Sequence, residues 1–148
     1  MNKKLPLSTF LFLIGLIAFS ISACKGTSGI STNSSSSSAP TVDVLFLNHP
    51  PVREVLIKVD PILASYGDQI KVTRYEFDTA EGADFAKQKG VKDHMPLIIY
   101  INGSKSFDLD GQKITFESFP QGEGTAMMAA GSWTIADLDA ALKKATGK

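Results

Sequence analysis

Few residues of this chain can do chemistry beyond ordinary proton exchange: one cysteine, Cys24; two histidines, His49 and His94; and, besides Met1, the methionines Met95, Met127 and Met128. Thiol–disulfide exchange needs a thiolate attacking a disulfide, and a single cysteine leaves the rest of the chain without a thiol. Imidazole and thioether ligands suit copper, the reduced ion above all, so His49, His94 and Met95, with Met127 or Met128, form a candidate metal set. The two histidines stand at no ligand-like spacing, however, and their plain reading is as loop residues with ordinary hydrogen bonds. Hydrolytic chemistry finds no support. Ser104, Ser106 and Ser118 sit in no Gly-x-Ser-x-Gly elbow, and a catalytic base must be held by a third group, which adjacent Asp93 and His94 do not supply. Strand alternation would aim Asp108 and Asp110 at one face, but two carboxylates without a third ligand read as a solvated edge. The sequence thus predicts no catalytic residue and no cofactor.

The N-terminal residues account for Cys24. Lys3 and Lys4 precede an apolar run from Leu5 to Ser22, and small residues follow in Ile21-Ser22-Ala23-Cys24, the layout of a cleavable secretory signal. This last tetrad resembles the lipobox of bacterial lipoproteins. The resemblance implies diacylglycerol on the Cys24 thiol, cleavage before it, and acylation of the new amino terminus. Acyl chains contribute about 0.8 kcal/mol per buried methylene, so three would anchor the product stably. The alternative is an uncleaved transmembrane anchor, since roughly 20 apolar residues span a bilayer. Residues 1–23 are therefore expected to be a signal peptide, 24–40 a lipidated cysteine with its tether, and 41–148 one folded domain. The expected location is the cell envelope, lipid-anchored on the extracytoplasmic side. Lys25 rather than an aspartate after the cysteine leans towards the outer membrane if the organism has one.

The tether, Gly26 to Ala39, contains the run Ser34 to Ser38 and only Ile30 to bury, a composition that predicts a flexible coil. The stretch beyond Pro40 is long enough for one small domain with a core. Without Lys3 and Lys4 the chain carries 13 basic against 15 acidic residues, a net −2. These charges are scattered as on a solvated surface, and no basic patch argues for nucleic acid.

Alternating elements fill the domain. Val42–Leu47 reads as an apolar strand; after the kinked segment Asn48-His49-Pro50-Pro51, a helix is expected from about Val52 to Tyr66, bent at Pro61 and stopped by Gly67. Ile70–Phe77 is a second strand. Asp78 or Thr79 can cap a helix over Ala80–Lys89 that ends at Gly90. Leu97–Ile101 is a buried strand, and Asn102-Gly103 and Asp110-Gly111 are hairpin signals that predict an antiparallel meander through Lys105–Leu109 and Lys113–Phe119. Glycine-rich Gln121–Gly131 leads to a last amphipathic helix, with Thr134 and Asp137 as its capping box, Asp137 and Asp139 suited to its dipole, Leu138, Ala141 and Leu142 facing inward, and Trp133 as a staple against the sheet. This order predicts an α/β sandwich with a central mixed sheet.

From Val42 to Ala145 the chain resembles the thioredoxin-like family. The likeness rests on the first strand entering a helix with an internal proline, Val59-Asp60-Pro61-Ile62-Leu63; on Asp78 closing the second strand; on Gly90-Val91 before Met95-Pro96; and on Leu97-Ile98-Ile99-Tyr100-Ile101-Asn102-Gly103 running into a turn. The resemblance implies a cis bond before Pro96. It also implies a meeting of strand ends, proline loop and the loop before the last helix at one edge, where the family binds extended peptides. His49, Pro50, Pro51, His94, Met95 and Pro96 are the candidate binding residues there, and Met127, Met128 and Phe119 could add an adaptable apolar groove. Where enzymes of this fold carry Cys-x-x-Cys, this chain has either His49-Pro50-Pro51-Val52 or Arg53-Glu54-Val55-Leu56, depending on the register at the helix start. Neither contains a thiol, so redox activity is not expected. The function expected is that of a binding or scaffolding module with an unidentified protein or peptide partner; copper handling through His49, His94 and Met95 is the alternative.

Overall fold

In the computed structural model, residues 38–123 and 130–148 are described; Cys24, the signal segment, nearly all of the tether, Met127 and Met128 lie outside them. The core sheet has three strands, β1 (Thr41–Phe46), β2 (Lys71–Glu76) and β3 (Leu97–Ile101), in the order β2-β1-β3. Strand β1 runs parallel to β2 and antiparallel to β3. Side chains alternate across a strand, and the core divides accordingly. Val42, Val44, Leu97, Ile99 and Ile101 pack with helix α1 (Pro50–Ser65) and helix α3 (Ile135–Thr146) on one face. On the other face Leu45, Ile98 and Tyr100 meet Phe85 and Ala86 of helix α2 (Ala80–Gln88). With both faces covered, β3 is buried at every position, as its continuous apolar sequence requires.

Each helix begins and ends for a local reason. Helix α1 starts at Pro50 rather than Val52: prolines at the first positions forfeit no hydrogen bond and have φ preset for a helix. Its buried residues Val52, Val55, Leu56, Val59 and Leu63 fall at helical spacing. The helix continues through Pro61 to Ser65. In α2 the Thr79 hydroxyl accepts the Gly82 amide at 3.1 Å, so Thr79 rather than Asp78 is the cap. In α3 the Thr134–Asp137 capping box forms in both directions. Trp133 just before it is fully buried, donates its indole N–H to the Glu117 carbonyl at 3.1 Å, and meets Phe116 edge-on. Among the described residues no helix is long and apolar enough to cross a membrane.

The meander departs from expectation. Strands β4 (Ser106–Leu109) and β5 (Gln112–Thr115) form their own two-stranded sheet, so the strand expected through Phe119 stops at Thr115. Ser118 in the left-handed region (φ 64°) breaks its regular course. The Phe116 amide still donates to Lys105 at 2.8 Å, while its carbonyl accepts the Ile99 N–H at 3.0 Å and the Ser118 N–H donates to Leu97 at 2.8 Å, so Phe116 to Ser118 turn towards β3. Asp110 belongs to the β4–β5 turn (φ 50°) and not to a strand, so alternation does not align it with Asp108.

Candidate functional site

Strand register gathers three loops at one end of the sheet. Phe46, the last residue of β1, lies beside Glu76, the last of β2, and Leu97, the first of β3. The ladder extends one residue further: the Phe77 amide donates to the Phe46 carbonyl at 2.8 Å, and the Leu47 amide to the Pro96 carbonyl at 3.0 Å. The segment His49-Pro50-Pro51, the residue Asp78 and the segment His94-Met95-Pro96 therefore leave the sheet at the same end. The bond before Pro96 is trans, as no cis peptide occurs among the described residues; this corrects the cis geometry the resemblance implies and agrees with the intrinsic preference of X–Pro bonds.

His49 is the N-cap of α1, with φ −105° and ψ 153°, the extended conformation that a following proline demands. Its side chain makes no capping bond; its backbone binds Leu47, Val52 and Arg53 at 2.9 to 3.0 Å. Arg53 returns to the Asn48 carbonyl and side-chain oxygen, both at 3.2 Å, which stiffens the turn. His49-Pro50-Pro51-Val52 stands at the amino end of α1, and Arg53-Glu54-Val55-Leu56 lies within the helix. His49 and Pro50 are exposed, Pro51 is half-buried and Pro96 is buried.

His94 has another neighbourhood. Its side chain is 70% exposed, with Nε2 3.7 Å from Asp78 Oδ1 and its ring against Phe77 at 4.6 Å between centroids. The carboxylate beside it is thus Asp78 and not the adjacent Asp93, whose carbonyl accepts the Met95 amide at 2.8 Å. The sequence places Asp78 at the end of β2 but carries no local sign of its pairing with His94. Met95 is half-buried against the α2-side cluster, and Phe119 is fully buried on the opposite side, so Phe119 does not line a groove. No hydrogen bond, ion pair or ring contact joins His49 to His94. Among the described residues no three His, Cys, Asp or Glu side chains converge as metal ligands.

Beside His94 the surface dips between α2 and the loop that follows it, in a groove of about 380 Å³. Phe77, Ala83, Ala86 and Val91 give it apolar walls, and Lys87, Lys92 and His94 carry its polar groups. On the other side of the same loop a hollow of about 300 Å³ mixes Lys89, Lys92 and Lys105 with Asp93 and Glu117. The Lys89 ammonium lies over the rings of Phe85 and Tyr100, at 5.2 and 5.0 Å, a cation–π arrangement that fastens the end of α2 to β3. The pronounced proton shift lies elsewhere. The Tyr66 hydroxyl donates to Asp139 at 2.7 Å, and its pKa is pushed up to about 12 by burial and then by that carboxylate.

Compared with known proteins, the chain matches no family model and no curated protein. Fold and site by themselves define a mixed α/β domain with helices on both faces of its sheet, in which two proline-bearing loops meet at one end with histidines exposed and no cysteine among the described residues.

Proposed function

We propose that the chain is a lipid-anchored, extracytoplasmic, thioredoxin-like protein without redox activity that works as a binding or scaffolding module. The observation that carries the binding role is the bond from the Leu47 amide to Pro96, which holds His49-Pro50-Pro51 and His94-Met95-Pro96 at one end of the sheet. Exposed imidazoles and a proline-stiffened turn there offer hydrogen-bonding groups and rigid apolar surface that cost little entropy to order. The thioredoxin-like part is supported by the parallel β1–β2 pair crossing through α1, by antiparallel β3 entered directly from Pro96, and by the helices on both faces; the trans bond before Pro96 departs from the pattern. The absence of redox activity follows from a chain whose one cysteine is proposed to be acylated.

Selection of a displayed random-peptide library on the full chain in neutral detergent micelles tests the binding role, with the selected peptides mapped by photo-crosslinking. Enrichment of peptides that crosslink to residues 48–51 and 94–96 is the expected outcome; a library that yields no such binder sinks the reading. The competing metal reading rests on the arrival of both histidines and Met95 at the same end. Titration with Cu(I) and Cu(II) against a chelating competitor decides it, since tight binding abolished by His49→Ala with His94→Ala would replace the peptide with a metal as the ligand.

A further inference from the structure

Resting on that binding reading, we infer that the groove between α2 and the Gly90–His94 loop receives a segment of a partner protein in which an apolar side chain is flanked by carboxylates. Phe77, Ala83, Ala86 and Val91 form its apolar walls. Every ionisable side chain that lines it is a lysine or the histidine: Lys87, Lys92 and His94. Three acids stand around it without lining it: Asp78 beside His94, Asp93 in the adjoining hollow and Asp84 next to Ala83 in α2. Lys58, Arg74, Lys105 and Lys143 each have a carboxylate partner; among the described residues Lys87 and Lys92, like Lys71 and Lys113, have none, and they alone of these border an apolar groove with a histidine. Two unpaired ammonium groups beside apolar surface complement a peptide with the opposite sign of charge around an apolar side chain; both lysines are exposed, so each contributes the modest attraction of a surface pair. Gly90 borders open space at the groove: a side chain built there would meet no atom within 4 Å. Because His94 belongs both to this groove and to the sheet end, a peptide lying across the sheet end can place one side chain in the groove.

The probe is a fluorescent, acetylated and amidated pentapeptide with phenylalanine between two pairs of glutamates, titrated by anisotropy against the full chain in neutral detergent micelles. One comparator replaces the glutamates with lysines and another the phenylalanine with serine. A benzophenone analogue of the phenylalanine maps the contact. The acidic probe is expected to bind about tenfold tighter than either comparator, to crosslink within residues 83–94, and to weaken about tenfold in Lys87→Glu with Lys92→Glu, whose charge reversal favours the basic comparator. Should that variant misfold, Lys87→Gln with Lys92→Gln is expected to abolish the charge preference without reversing it. Equal binding of acidic and basic peptides, no binding of the acidic probe, or affinity indifferent to both variants overturns the inference. The two failures are separable: library-selected peptides that crosslink to residues 48–51 and ignore Lys87 and Lys92 remove the groove but leave the sheet-end reading intact, whereas loss of that reading is a library with no sheet-end binder at all.

Discussion

Tyr66 and Asp139 are 73 positions apart in sequence, yet their 2.7 Å bond ties the end of α1 to α3. Lys143 completes the arrangement, 2.7 Å from the other Asp139 oxygen. Burial and this carboxylate hold the Tyr66 proton up to about 12, against about 10 in an unfolded chain. Above pH 10 the unfolded chain releases that proton while the folded one keeps it, so stability that is complete below pH 10 is lost as pH rises towards 12. Asp139 works in the opposite range. Its bonds to Lys143 and then Tyr66 hold its carboxyl below the usual value, so its contribution is present above about pH 4 and is lost as pH falls through the lowered value. Urea unfolding in steps from pH 9 to about 12 should therefore show a shallower decline in Tyr66→Phe than in the parent; parallel curves would refute the account. Tyr75 and Tyr100 are also raised by burial and contribute to both curves alike. Nothing local in the sequence encodes the Tyr66 bond, whereas the Thr134–Asp137 box lies within one helical turn and can be read directly.

The same contrast of local and distant causes explains which elements the sequence reveals. Strand β3, the glycine turns after it and the helix stop at Gly90 depend on a few neighbouring residues, and the structure has them where patterning puts them. The start of α1 at Pro50 is obscured because a Pro-Pro pair reads equally as a kink or as a first turn, and only packing of Val52 against the core decides. The early end of β5 has a tertiary cause, since Phe116 to Ser118 are claimed by β3. The groove at Lys87 and Lys92 is hidden for the same reason: along the chain these lysines look like a solvated face, and only the packing of α2 on β2 places them beside Phe77. That packing depends on Gly82. A Cβ there would lie 1.8 Å from the Glu76 carbonyl oxygen and 3.1 Å from the Phe77 Cα, and backbone cannot yield as a flexible side chain can. Gly82→Ala should destabilise the domain by about 1–3 kcal/mol or more, despite the better helix propensity of alanine. Thr134→Ala, which removes only a cap, should cost about 1 kcal/mol. Denaturant midpoints for the two variants test the ranking; a Gly82→Ala variant as stable as the parent would mean that α2 does not bear on β2 as closely as described.

Across the whole domain, the topology sets the proposed point of attachment apart from the proposed binding loops. The chain enters β1 at Thr41, and the candidate binding loops follow its other end after six residues, or about 20 Å at strand rise. In the proposed anchored form the tether therefore joins the domain at the end of β1 remote from His49 and His94. Two variants separate the roles. Cys24→Ser should remove the acylation site and move the protein from the membrane fraction to the soluble fraction, read by fractionation and mass measurement of the mature amino terminus. Deleting Ser34–Ser37 should leave the proposed lipid in place and change the affinity of a sheet-end peptide by less than about twofold, as expected if this serine-rich stretch is a tether that acts through reach and not through contact. If the deletion instead weakens the peptide severely while the domain still unfolds at the same denaturant concentration, the serine-rich segment takes part in binding, and the separation between the two ends of β1 is not how the protein is organised. If affinity holds and only capture by a partner fixed at a distance is lost, the length of the tether is what the sequence specifies there, and its serines serve to keep the domain free to reach.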